Sequence, residues 1–286
     1  MPQAYKNSTK LAVHTMTNKP WTLRECIEAY AARNIHGISV WRNVLEGIAL
    51  SDAATILNDH NMVVPALVRG GFFPSTSVSG RQKALDENRS IIDEAAAINA
   101  EMVVYVVGAV PNQRLDESRK QTQDAFAAIL PHAEARNIKL AIEPLHPMYA
   151  ADRSCINRMA EARHICEQLN HPLIGIAADV FHIWWDADVE KELCLAAVQK
   201  TLFGFHICDW KPDMNDMLND RGLMGDGCID LAYYKNLMNE LEFDGYHEVE
   251  VFSDLYWRLN QDQYLDMIVQ RAEQYAYSKS LRASQT

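Results

Sequence analysis

A chain of 286 residues, 48% apolar and 23% charged, can bury one large core, and its charges are too evenly spread for a disordered segment. A formal charge of −11 argues against a nucleic-acid partner and makes a phosphorylated substrate less attractive. MPQAYKNSTK has no apolar signal core, no run reaches the roughly 18 apolar residues of a membrane span, and six cysteines lie scattered without a CxxC pair. These features predict a cytoplasmic protein with reduced thiols, no membrane contact and no thiolate metal site.

Along the chain, apolar β-prone runs alternate with helical patterns, and no linker divides them, so one domain over 1–286 is expected. The predicted strands are Lys10–His14, Gly37–Val40, Met62–Leu67, Met102–Val107, Ile138–Ile142, Ile174–Asp179, Leu202–Ile207 and Tyr246–Val251. Between and after them the helical pattern covers Leu23–Arg33 behind a Thr22 cap, Ser51–Asp59, Gln82–Asn99, Gln121–Arg136, Cys155–Leu169, Val189–Thr201, Leu231–Leu241 and Gln261–Tyr277. Eight such units predict an α/β (β/α)8 TIM barrel. The alternative is an open doubly wound sheet, but no GxGxxG follows the first strand. Two segments look like long loops at strand ends, Gly70–Arg81 and Asp209–Asp226.

Four successive runs end in residues that ligate hard cations: Glu143 in KLAIEPLHP, Asp179 in IGIAAD, His206 in LFGFH and Glu250 in YHEVEV. In a barrel these ends share the C-terminal mouth, so they predict one divalent metal site suited to Mn²⁺, Mg²⁺ or Co²⁺, with Zn²⁺ also open. Glu248 shares the alternation of Glu250 but lies deeper, either paired with a residue such as Lys139 or backing the site. His146 and His182, each three residues past a ligand, are candidates for substrate contact or proton transfer. His14, Trp41 and Lys211 are further candidates for the pocket, and Trp41, Trp184 and Trp210 offer faces on which a sugar could stack.

Glu143 in IEPLH, Asp179 and His182 in DVFH, His206 in FHICDW, Arg221 in DRGLMGDG and Glu250 in VEVFS together resemble the sugar isomerase/epimerase superfamily of xylose isomerase-like barrels. The resemblance runs from the first strand through VEVFS. It implies that Glu143, Asp179, His206 and Glu250 hold one divalent ion, and it adds a leaning to Mn²⁺. It also implies that Glu143 and Glu250 act as the catalytic pair on a small keto sugar through an enediolate, with His182 and Arg221 binding substrate. His146 and the CDWKPD segment depart from ketose 3-epimerases, which leaves open a 3-keto-sugar or 3-keto-glycoside lyase or dehydratase, or a sugar-binding subunit without turnover. The endonuclease IV branch, with its zinc cluster and DNA surface, fits this acidic chain poorly. Self-association, with Tyr275–Tyr277 as one contact, is left open.

Overall fold

The computed structural model describes residues 10–278. Eight parallel strands close into a barrel in sequence order: β1 (Lys10–His14), β2 (Gly37–Trp41), β3 (Val64–Gly71), β4 (Ala100–Val106), β5 (Lys139–Ile142), β6 (Ile174–Asp179), β7 (Leu202–Ile207) and β8 (Tyr246–Val249). Closure comes from β1 against β8, where Lys10 through Val13 pair with Tyr246 through Val249. The helices are α1 (Leu23–Ala32), α2 (Leu50–Asp59), α3 (Val78–Ala97), α4 (Leu115–Arg136), α5 (Met159–Leu169), α6 (Val180–Ile183), α7 (Val189–Val198), α8 (Leu231–Glu240), α9 (Asp254–Trp257) and α10 (Gln261–Tyr277). None of them is long and apolar enough to cross a membrane.

Period-two alternation sorts the strand side chains. Val13, Ile38, Leu67, Val103, Leu140, Ile176, Phe205 and Val249 point outward into one large core with the helices. Ala66, Val68, Met102, Val104, Ala141 and Ala177 point inward and fill part of the barrel, packed by Trp41 and Phe203. The polar inward side chains, among them His14, Ser39, Asp179, His206 and Glu248, fall on β1, β2 and β6 through β8, with Glu143 and Glu250 just past β5 and β8. The site therefore occupies one side of the barrel and leans on an apolar wall.

Several boundaries differ from those read in the sequence. Gly70 and Gly71 belong to β3, and α3 begins at Val78 with Ser77 as its cap, so the predicted Gly70–Arg81 loop shrinks to six residues, 72–77. Gly71 has φ +117°, and a Cβ there would meet the Val106 carbonyl oxygen at 1.9 Å. The glycine pair therefore lets β3 press against β4 rather than marking a loop. Helix α4 starts six residues earlier than expected, with Asp116 and Glu117 in its first turn. Helix α5 starts four residues later, because Asn157 turns its side chain onto the carbonyls of Leu145 and Ser154. The Thr22 cap is present as a full capping box with Glu25. Tyr275 is buried with its hydroxyl 2.6 Å from His247, which takes it out of the proposed self-association surface.

Candidate metal centre

Glu143 follows β5, Asp179 ends β6, His206 is the penultimate residue of β7, and Glu250 follows β8. All four are buried, and one ligand atom from each lies within 4.8 Å of the others. Glu143 Oε1 and His206 Nδ1 are 3.0 Å apart, an ion pair when the ring is protonated, and neither atom has a partner outside the cluster. Adjacent ligands of an octahedral cation at about 2.1 Å stand about 3 Å apart, so the spacing fits a shared ion.

Charge points the same way. Burial raises Asp179 to about 7, with Glu250 and Glu143 adding to the rise against the pull of Arg221. Burial would also raise Glu250, but His14 and Arg221 outweigh it and hold this carboxyl well below its usual range. Four buried carboxylates, counting Glu248, face the Arg221 guanidinium and the His206 ring, an acid-rich cluster suited to a dication.

Arg221 is the buried hub of the site. Its Nη1 donates to Asp179 Oδ2 and to Glu250 Oε2, both at 2.9 Å. Phe181 and Phe252 stack on the guanidinium at 4.4 and 4.9 Å. Its Nη2 lies 3.3 Å from His182 Nε2, which therefore accepts and leaves the ring proton on Nδ1. Burial and Arg221 push His182 well below its ordinary value, so the ring is neutral. Its Nδ1 has no partner, and the ring lines the cavity above the ligands. That donor is free for a substrate oxygen.

Beneath the ligands lies a layer the sequence reading assigned only in part. Glu248 accepts from the Ser39 hydroxyl, faces His14 Nε2 at 3.3 Å, and reaches to 4.0 Å of His206 Nε2. Its expected partner Lys139 instead packs its ammonium 5.3 Å over the Phe203 ring. Lys139 sits at the start of β5, at the far end of the barrel, and cannot reach. His14 receives the Trp41 indole N–H at 3.0 Å on Nδ1, which also lies 3.2 Å from Glu250 Oε1. A chain of Trp41, His14 and Glu248 thus backs Glu250 and His206, the arrangement that orients metal ligands and fixes their ring tautomers. We expect Glu248→Gln to keep the fold, because size and Ser39 contact survive, while divalent-ion affinity falls about 10- to 100-fold. A metal titration of the variant by calorimetry checks this, and an unchanged affinity would contradict the supporting role.

His206 provides a pH prediction. Burial opposes its charged form, but Glu143, Glu248 and Glu250 outweigh burial and raise it to about 10. Without an ion the ring therefore holds its proton at neutral pH, and Asp179 holds one below about 7. Both protons must leave when an ion binds, so affinity rises with pH. Proton release is expected to fall from about two per ion near pH 6 to about one near pH 8. Calorimetric titrations in buffers of differing ionisation heat measure the release, and a pH-independent affinity with none would refute it.

Other predicted residues lie further out. His146 caps a short turn at Pro147–Tyr149 through Nδ1 and packs on Trp185 and Trp210 at 5.6 and 5.0 Å. Trp210 in turn packs on Phe181 and Trp184. Lys211 is held by Asp220. His146, Trp184, Trp210 and Lys211 are therefore not among the residues lining the cavity of about 250 Å³ above the ligands. Trp41, His182, Arg221, Glu143 and Glu250 do line it, together with Arg69, Arg153, Phe72 and Tyr149, which the sequence reading passed over.

A closed barrel with buried acidic and histidine side chains meeting at the C-terminal ends of β5 to β8 defines a TIM barrel with a candidate metal centre. The chain belongs to the xylose isomerase-like TIM barrel family, whose model matches residues 10–276. It is 24% identical over 198 residues to the inosose isomerase of Bacillus subtilis strain 168, covering 67% of this chain and 68% of that one. Among solved structures it is similar to protein SMc04130 of Sinorhizobium meliloti 1021, at 39% identity and TM-score 0.90 over 93% of this chain and 98% of that one. An IOLI protein solved with a binding zinc atom shares the fold at 22% identity and TM-score 0.82, over 94% of this chain and 98% of that one.

Proposed function

We propose that this chain is a divalent-metal-dependent isomerase or epimerase of a small keto sugar or sugar derivative. The observation that carries the reading is the meeting of Glu143, Asp179, His206 and Glu250 within 4.8 Å beneath a half-open cavity. The inosose isomerase relatives support the substrate class, and the zinc in the IOLI protein supports a divalent ion without fixing which one. A bound divalent cation would supply Lewis acidity to a substrate carbonyl.

The side chains divide the remaining work. β5 and β8 stand three strands apart in the barrel, so Glu143 and Glu250 approach a substrate carbon from separated directions. One glutamate, as the carboxylate, takes the proton from the carbon beside the carbonyl; the C–H pair becomes the new C=C bond as the carbonyl π pair moves onto oxygen. A proton then returns to carbon as the C=O bond re-forms: for epimerisation from the other glutamate, acting as the carboxylic acid, to the opposite face, and for isomerisation to the neighbouring carbon, with the hydroxyl proton passing between the two oxygens. His182 Nδ1–H donates to a substrate oxygen, and Arg221 keeps Asp179 and Glu250 in place. Val106, Leu145, Leu218 and Phe252 wall the cavity against water.

The elimination reading drew on His146, and its packing against Trp185 and Trp210 removes that support. The test is nuclear magnetic resonance of the metal-loaded protein in D₂O with free ketoses, an inosose and a 3-keto-glycoside. Deuterium entering an intact keto compound is the expected result. Release of the aglycone, or no exchange despite a bound ion, would overturn the reading.

A further inference from the structure

Among the described residues four arginines have no acidic partner, Arg69, Arg81, Arg153 and Arg258; Arg81 donates to the Ser75 carbonyl, and Arg69 and Arg153 line one cavity. Carboxylates outnumber basic side chains, 38 to 27, so a guanidinium that serves the fold has abundant partners. Most arginines of the described residues have taken one: Arg33 pairs with Asp266, Arg42 with Glu94, Arg119 with Glu161, Arg158 with Asp186, and Arg163 with Glu192. Arg258 is exposed and solvated. Arg69 and Arg153 are different. Both are partly buried, and neither side chain makes a hydrogen bond or ion pair with another described residue. Arg69 stacks over Phe72 at 4.4 Å, and Arg153 lies 5.7 Å from the centre of the Tyr149 ring.

Their placement is built into the fold. The register of β3 against β4 shifts between Val68 and Gly70, and such an irregularity re-aims a side chain. Here it brings Arg69 to the mouth, at a position that a regular strand would alternate away from the barrel interior. The backbone of Arg153 is pinned twice, its N–H on the Tyr149 carbonyl and its carbonyl accepting from Gly108, each at 3.0 Å. Burial lowers Arg69, and the nearby charge of Arg153 lowers it further. Two like charges held beside each other in a substrate-sized cavity, neither hydrogen-bonded to a carboxylate and with Glu143 and Glu87 offsetting only part of the repulsion at Arg69, are costly for the empty protein. That cost is offset when an anion arrives, because guanidinium groups clamp carboxylate and phosphate oxygens in a fixed fork.

We infer that the substrate carries an anionic group, a carboxylate or a phosphate, at the end remote from the four ligand residues, and that Arg69 and Arg153 together receive it. The inference rests on the proposed function for the position of the reacting end. It narrows the substrate class from a neutral keto sugar to a keto sugar acid or ester. It also answers the low overall charge: an acidic protein attracts an anion only where positive charge is concentrated, and the mouth concentrates it.

Binding, rather than turnover, is the test, read by quenching of tryptophan fluorescence, since Trp41 lines the cavity. The probes are D-fructose, D-fructuronate and a terminal phosphate ester of fructose, each titrated into protein loaded with Mn²⁺. The expected result is a charged probe bound at least about tenfold more tightly than fructose. Arg69→Gln and Arg153→Gln should each remove about tenfold or more of that preference, lowering affinity for the charged probe more than for fructose. Tighter binding of the uronate assigns a carboxylate, and tighter binding of the ester a phosphate. Melting temperature and bound Mn²⁺ of both variants control for damage to the fold or the ligands. Equal affinity for charged and neutral probes, or an unchanged preference in both variants, would overturn the inference. Charge preference without deuterium exchange would leave the inference standing and sink the proposed reaction. Exchange into fructose with no charge preference would do the reverse.

Discussion

Replacing Glu250 by glutamine is expected to slow exchange of the carbon-bound proton by about a hundred- to ten-thousandfold at saturating metal. The carboxylate has two separate engagements. Oε2 takes the Arg221 guanidinium at 2.9 Å, and Oε1 lies 3.2 Å from His14 Nδ1. A glutamine fills the same space but can neither accept the substrate proton nor balance Arg221, which then has Asp179 alone. Metal affinity should also fall, because one of three anionic ligands is gone. Saturating metal and single-turnover conditions therefore separate the proton step from occupancy. Glu143→Gln should show a comparable loss if the two carboxylates work as a pair, and each variant should spare one direction of proton delivery least. A Glu250→Gln protein that fills with metal and exchanges at the parent rate would mean the carboxylate only ligates.

The strand-end cluster was legible because the barrel imposes two simple constraints. Period-two alternation places every second residue inward, and parallel strands align their C-terminal ends at one mouth. Glu143, Asp179, His206 and Glu250 therefore declared themselves without any knowledge of neighbouring strands. Choosing Glu250 over Glu248 needed only depth along a strand. The partner of Glu248 was not legible. It comes from β1 and β2, joined to β8 by barrel closure, and Ser39 lies 209 residues away in sequence. Lys139 had the right charge but sits at the wrong end of its strand.

Arg69 and Arg153 escaped notice for a related reason. VPALVRGG reads as a buried strand followed by a glycine-rich loop, whereas the strand continues through both glycines and shifts register just past Val68. Local sequence cannot reveal a bulge that is defined by the neighbouring strand. Arg153 looked like one charge among many, and only the absence of a carboxylate around it marks it out. His146 shows the converse, a placement that the motif spacing did not reveal. A histidine three residues beyond a ligand suggested chemistry, but Pro147 turns the chain and directs the ring into Trp185 and Trp210.

The loop after β7 is expected to depend on one buried carboxylate, and Asp209→Ala should cost about 3 to 5 kcal/mol. Asp209 Oδ1 accepts from the N–H groups of Trp210 at 2.8 Å and Ile229 at 3.0 Å. Its Oδ2 accepts from Gly225 at 3.0 Å and Gly227 at 2.9 Å. Its own N–H and carbonyl also pair with Gly222. One residue therefore ties down both ends of the segment that carries Arg221. Side chains are excluded from this turn, since a Cβ at Gly227 would meet the Trp210 carbonyl oxygen at 2.1 Å. Alanine would leave four N–H groups without an acceptor, and the hydrogen bonds of a charged acceptor are worth about 1.5 to 3 kcal/mol each, though not additively. Asn at this position keeps one oxygen but turns an amide N–H₂ toward two donors, so it should recover only part of the loss. Melting temperature should drop by several degrees in Asp209→Ala, with new protease cleavage between residues 209 and 229. Turnover should fall with it, because Arg221 no longer holds Asp179 and Glu250 together. If the variant melts with the parent and resists protease equally, the loop is held by its aromatic packing through Trp210, and the carboxylate is not its clamp.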